Sequence, residues 1–427
     1  MLKKNIQKNT FLEKIPENIV VSVPPNLLLK TISFLITKKK NNLVMHGFEN
    51  GTIPFDYVKK HYHSSLKSHL QHIFYHFYLL DILYNHLRSL GLYIPKIFTL
   101  DCESDLIHNK ITYNYFYRNN LLQYIVLPDF KKLKFPERKK YRDLDKQAHS
   151  IIDQEAKNKL LPEVQTIRQG DWIAIKVFIL DENNQILDEK LCAHLWINIT
   201  NESIDREISD LFVGKKRGES CISDAAFLND FLSTNFLKHT FLINILEHVS
   251  HLYFSFDVFK EAFSYDNKDI FEKIIDIFSL RNDISLKKEK AQIALSFFLE
   301  KIKIFLESDI VREHEIIIKN KIMKNPDYLL YQSDNNFDLN IKRLSCRQSM
   351  EKILIDHFIS VFNISSSQSL LYWYVNILQR NRLKEFLYFD VNHLYDNSNK
   401  FIPIHNAVLE QMALREKTVE FLIKKLS

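Results

Sequence analysis

Glycine is scarce in this chain: six in 427 residues, at Gly47, Gly51, Gly91, Gly170, Gly214 and Gly218. Proline thins out in the same direction, with only Pro326 and Pro403 after Pro162. The absence of these breakers excludes a turn-dense β architecture beyond Gly218, and the apolar spacing there reads helical. Cys102, Cys192, Cys221 and Cys346 form no CxxC pair. That excludes a sequence-local zinc knuckle or redox motif and suits free thiols in a reducing compartment. No stretch approaches the ~18 apolar residues of a membrane span, and the N-terminus MLKKNIQKNTFLEK lacks a signal-peptide core. A cytoplasmic protein with no membrane partner is expected. Charge of one sign is also missing, since 58 basic residues face 52 acidic ones, and no global field for a polyanion follows.

What is present is a chain 46% hydrophobic, enough for two or three domains with a sizeable core. Near the start, VMHGFENGTIP places Gly47 and Gly51 around Phe48, a tight loop presenting an aromatic tip, unless Phe48 folds back on its own domain. Before it, NIVVSVPP reads as an edge strand. A helix over about 26–40 ends at Lys38, Lys39 and Lys40, whose charge suits a helix C-terminus. After the loop, apolar residues from Val58 to Leu87 recur in steps of three and four, predicting one long helix or two, ended by Gly91. Strands over 110–117 and 123–127, turned at Asn119-Asn120, close a small α+β unit. His72 and His76 stand at a chelating i, i+4 spacing near His63 and His69, without a HExxH glutamate. A packed aromatic surface is the favoured account, and no metal is expected.

Lys131, Lys132, Lys134, Arg138, Lys139, Lys140 and Arg142 interleave with Phe135 and Tyr141. Such a run either contacts phosphates and bases or is a solvated linker surface. Residues 168–249 are read as a small, mainly β module, with strands over 172–180, 186–196 and 240–248 and no recognisable nucleophile–base pair, carboxylate dyad or phosphate loop. From 254 onward, helices are predicted near 258–263, 270–278, 286–305, 311–323, 349–362, 367–387 and 406–425, with Asp257, Asp269, Ser285 and Asp309 as N-caps. Phe297, Phe298, Phe305, Tyr372 and Trp373 are candidates for an apolar surface that takes up chain segments, against the alternative that they are core.

Taken in order, these features resemble trigger factor, the bacterial ribosome-associated chaperone, over nearly the whole chain. GFENGTIP is similar to the family's docking signature Gly-Phe-Arg-Lys-Gly-Lys-x-Pro, and FDYVKKHY follows as the next helix start. YIVLPDFKKLKF, FDVFKEAFSYDNKDIFEKI and the terminal LREKTVEFLIKK resemble the closing strand, the start of the C-terminal domain and the last helix. The resemblance implies an α+β, multidomain fold. Its parts are a ribosome-docking-type domain (1–128), a linker with a helix (129–165), an inserted FKBP-like module (166–250) and an elongated all-α chaperone domain (251–427). The implied activity is ATP-independent holding of unfolded or nascent polypeptides, with no cofactor, and a homodimer is left open.

The departures have physical consequences. Where the family carries three cations, this loop has Glu49, Asn50 and Thr52, which weakens any ribosome contact through Gly47, Phe48, Glu49, Asn50 and Gly51. GDWIAIKVFIL and LFVGKKRGESC resemble parts of the family's prolyl isomerase domain, but its Ile-Pro-Gly-Phe-Glu pocket wall is missing. An isomerase works by holding a twisted X-Pro bond in a desolvated pocket, so weak or absent activity is expected unless Trp172, Phe178, Trp196 and Phe212 rebuild that pocket. An active prolyl isomerase and an RNA binder using the basic linker are the rival readings.

Overall fold

The computed structural model describes residues 18–43, 46–49, 51–89, 98–105, 110–117, 128–130, 132–137, 143–200, 206–232, 236–263, 274, 282–302, 306, 308–323, 332, 336–379 and 403–427. Strand β1 (Asn18–Ser22) runs into Pro24 and Pro25, and Pro25 opens helix α1 (Pro25–Asn42). The fixed φ of proline suits the first helical turn, where its missing N–H is no loss. The glycine loop leads to α2 (Phe55–His61) and α3 (His63–Phe74). A π-helical turn over Tyr75–Leu79 then interrupts the periodic stretch before α4 (Leu80–Ser89). The interval predicted as one or two helices is thus broken twice, at Tyr62 and at the wide turn. Gly91 lies outside the described residues.

Strands β2 (Phe98–Asp105) and β3 (Lys110–Tyr117) pair antiparallel, and β1 flanks β3 at the sheet edge in the order β1-β3-β2. The sequence reading overlooks β2 because Asp101, Glu103 and Asp105 depress its β-propensity. The segment it favoured, 123–127, lies outside the described residues. Helix α5 (Leu144–Lys159) follows the linker.

The second sheet contains β4 (Trp172–Ile179), β5 (Cys192–Asn198), then after α6 (Arg206–Phe212) β6 (Ser220–Ser223), and after α7 (Ala226–Phe231) β7 (Phe241–Val249). Central β4 is buried at every position except Lys176, as a strand covered on both faces should be. The predicted strand over 186–196 contracts to an isolated bridge, Leu180 to Ile186, and β5. Helices α8 (Phe256–Phe263), α9 (Asn282–Lys301), α10 (Ser308–Met323), α11 (Phe337–Val361), α12 (Gln368–Gln379) and α13 (Asn406–Leu426) make up the tail. Asp257, Ser285 and Asp309 fall inside helices rather than at their caps. Ser255 instead bonds the N–H of Val258 at the start of α8, and Asp269 lies outside the described residues.

The tail is not purely helical. Ile404 and His405 form β8, which pairs with Trp196 and Leu195 and completes the sheet order β6-β7-β4-β5-β8. Residues 166–250 therefore hold four strands of this sheet, and the fifth arrives from the C-terminal segment. The N-terminal helices pack on the same module: Phe77 stacks on Phe241 at 6.2 Å between centroids, and Lys39 Nζ donates to the Phe236 carbonyl at 3.1 Å. One apolar cluster runs from Ile19 to Leu426 through all three regions.

Candidate functional site

The glycine loop is built as its composition requires. Gly47 and Gly51 have φ of +90° and +79°, in the left-handed region that side-chain-bearing residues resist. The Thr52 amide and hydroxyl both donate to the Glu49 carbonyl, at 3.0 and 2.8 Å. Phe48 keeps 41% of its surface in solvent, with its ring 6.1 Å from Tyr57. Glu49 is exposed beside it, and Asn50 lies outside the described residues.

The basic candidates divide. Lys39 bonds the Phe236 carbonyl and lies over the rings of Tyr62 and Phe236 at 5.2 and 4.9 Å. Lys38 sits 5.7 Å over Phe34, and burial pushes its pKa down. Lys40 is half-buried, and Lys132 and Lys134 are exposed. Lys131, Arg138, Lys139, Lys140 and Arg142 lie outside the described residues.

The four aromatic residues considered for a proline pocket have dispersed surroundings. By strand alternation Trp172, Trp196 and Phe178 share one face of the sheet, and all are buried. Trp196 donates to Asn406 Oδ1 at 2.8 Å and meets the Tyr372 ring edge-on at 6.3 Å, so the C-terminal segment covers it. Lys176 lies 4.9 Å over Phe178, while Phe212, in α6, packs against Phe227.

The client-binding candidates also separate. Phe298 and Trp373 are buried to 0% and 2% exposure and belong to the core, because each lies on the inward face of its helix. Phe297 and Tyr372 are half-buried, and Phe305 lies outside the described residues. Exposed apolar surface occurs elsewhere on the tail. Ile316 and Met323 on α10 and Leu339 and Leu344 on α11 keep 42–54% of their surface in solvent. These helices are joined by a Lys319–Asp338 ion pair of 2.8 Å and a Lys352–His314 hydrogen bond of 2.6 Å. Aliphatic residues carry no conspicuous sequence signal, which is why an aromatic search passes over them.

His69 and His76 on the long helical interval are packed against other rings. His69 Nε2 lies 2.7 Å from His239 Nε2, both rings are buried, and burial pushes His69 down to about 4 and His239 well below its ordinary value. His76 stacks near His72 and sits 4.4 Å from Phe231, while His63 is exposed. His76 lies within the π turn.

A different cluster joins three distant segments. Asp81, in the first turn of α4, accepts from His194 Nδ1 on β5 at 2.8 Å. Cys192 lies two residues earlier on the same face, and ligand-capable atoms of Asp81, Cys192 and His194 all fall within 4.8 Å of one another. The side chain of His405, on β8, is 3% exposed, and its Nε2 lies 3.4 Å from Asp81 Oδ1. His194 also lines a cleft of about 290 Å³ with Trp196, Glu247, Gln368 and Glu410. Burial raises the Glu410 carboxyl to about 7, and it raises the Tyr372 phenol with help from Glu247. Cys-x-His on a strand was the only local sign of this cluster, because the aspartate comes from a separate helix.

No protein-family model matches the chain, and no curated protein matches it. Among solved structures, one of the trigger factor chaperone, concerned with promiscuous substrate recognition in folding and assembly activities, aligns with 96% of this chain and 98% of its own. The aligned residues are 13% identical and the TM-score is 0.33.

Proposed function

We propose that this protein holds unfolded polypeptides without ATP, as a divergent trigger-factor-like chaperone. The observation that carries the reading is the exposure of Ile316, Met323, Leu339 and Leu344 on the paired helices α10 and α11. Scattered exposed aliphatics are ordinary, but four on one helix pair provide apolar area outside the core. The ordered sequence motifs supply the second support. A client segment binds there through weak hydrophobic contacts and leaves when its own fold buries the same residues. Phe48 on the glycine loop is the docking tip, and exposed Glu49 makes its contact with a polyanion weak.

Purified protein is expected to suppress the aggregation of a chemically unfolded client. Full burial of one such side chain is worth ~1.5 kcal/mol or more, about a tenfold change in affinity. At that value for each, the double substitution Ile316→Asp, Leu339→Asp should therefore raise the concentration needed for half-suppression about a hundredfold. Its effect on stability should stay near ~0.5 kcal/mol, because both positions are on the surface. No suppression by the unmodified protein at several-fold molar excess overturns the reading.

A further inference from the structure

We infer that Asp81, Cys192 and His194 form a transition-metal site, with Zn²⁺ as the fitting ion and His405 as the group that positions Asp81. The three first-named residues offer one carboxylate oxygen, one thiolate sulfur and one imidazole nitrogen, all within 4.8 Å of one another. This mixed donor set suits a borderline-soft divalent ion and disfavours Mg²⁺ or Ca²⁺, which take oxygen ligands. Both β5 ligands lie on one face of the strand because their spacing is two, and α4 brings the aspartate to that face.

The independent observation is His405. Its ring is buried, its Nδ1 accepts from the Ala407 amide at 3.3 Å, and its Nε2, 3.4 Å from Asp81 Oδ1, has no hydrogen-bond partner. With Nδ1 used as acceptor, the neutral ring carries its proton on Nε2, so His405 donates and does not ligate. A modest approach of the carboxylate closes that bond, the usual way an outer group orients a ligand; the other oxygen, which accepts from His194 Nδ1 in the metal-free chain, exchanges that hydrogen bond for the metal as the His194 proton moves to the ring nitrogen that does not ligate. His194 and Asp81 retain partial exposure, so the ion has an entry path and its fourth position belongs to water. Binding releases the Cys192 thiol proton and ties α4 to the inserted sheet.

The probe is Co²⁺ added to the full metal-free chain, read by its thiolate-to-metal charge-transfer absorption, alongside metal content after Zn²⁺ loading and dialysis. One ion per chain is expected, with the band lost in Cys192→Ser and His194→Ala and retained in Cys346→Ser. His405→Asn should keep the band and weaken binding about 10–100-fold. Zn²⁺ should also raise the thermal midpoint of the unmodified protein and not that of Cys192→Ser. Absence of the band and of retained zinc in the unmodified protein overturns the site, as does a band undiminished in Cys192→Ser. Because the unmodified chain alone is decisive, a poorly folding variant does not rescue the proposal.

Discussion

At the scale of single residues, His357 carries a cost that nothing nearby offsets. The ring is 1% exposed in the core of α11, and neither ring nitrogen has a hydrogen-bond partner. Burial holds it neutral by pushing its pKa down to about 4. A neutral imidazole still brings one N–H and one lone pair, and an unsatisfied buried polar group costs ~1–3 kcal/mol. His357→Leu is therefore expected to stabilise the protein by about 1 kcal/mol, seen as a higher urea midpoint with an unchanged slope. A lower midpoint would mean the ring is bonded after all. Asp171 shows the opposite arrangement. It is fully buried, and burial alone would raise its pKa. Hydrogen bonds from His248 at 2.7 Å, from the His251 ring and amide, and from the Arg168 amide outweigh that and hold the carboxyl below its ordinary value.

At the scale of elements, the tail depends on how α11 and α13 are tied together. Arg415 forks onto both oxygens of Asp356 at 3.0 and 3.1 Å, with both side chains almost wholly buried. Removing one partner takes the main counter-charge from a buried ion, whereas replacing both with apolar residues removes the desolvation cost as well. Arg415→Ala should cost ~3–5 kcal/mol, while Asp356→Leu with Arg415→Met should recover most of it. A double-mutant cycle by urea unfolding measures this, and additive losses would show that the two side chains are not coupled. The glycine loop is the element most legible beforehand, since two glycines around an aromatic permit few other backbones. Strand β8 was the least legible. Two residues carry no periodicity, and only the open edge of β5 makes them a strand.

At the scale of the whole molecule, a single core links the N-terminal helices, the sheet module and the tail, and several buried histidines sit within it. His69 and His357 are pushed to about 4 from an ordinary 6.5, and burial holds His239 well below its ordinary value. The native state thus stays unprotonated where the unfolded chain takes up protons. Stability is at its full value above pH 6.5 and falls as the pH drops toward 4, by up to about 1.4 kcal/mol per unit for each histidine. Asp171 adds its own loss below 3.8, as its depressed carboxyl is finally protonated. Urea midpoints measured from pH 7 to 5 should decline, and His69→Gln with His239→Gln should flatten the decline. A flat profile in the unmodified protein contradicts this assignment.

The sequence by itself determined the local structure: the glycine loop, the helical interval from Val58 onward, central β4, and the helices of the tail from Phe256 onward. These follow from backbone freedom and apolar period, which act within a few residues. Tertiary structure decided which aromatic residues are core, so that Phe298 and Trp373 are enclosed while aliphatics on α10 and α11 meet solvent. It also decided that residues 404–405 complete the module's sheet and that Asp81, His194 and His405 converge. Such meetings depend on which faces of distant elements bury one another, and the spacing of residues along a chain does not encode that.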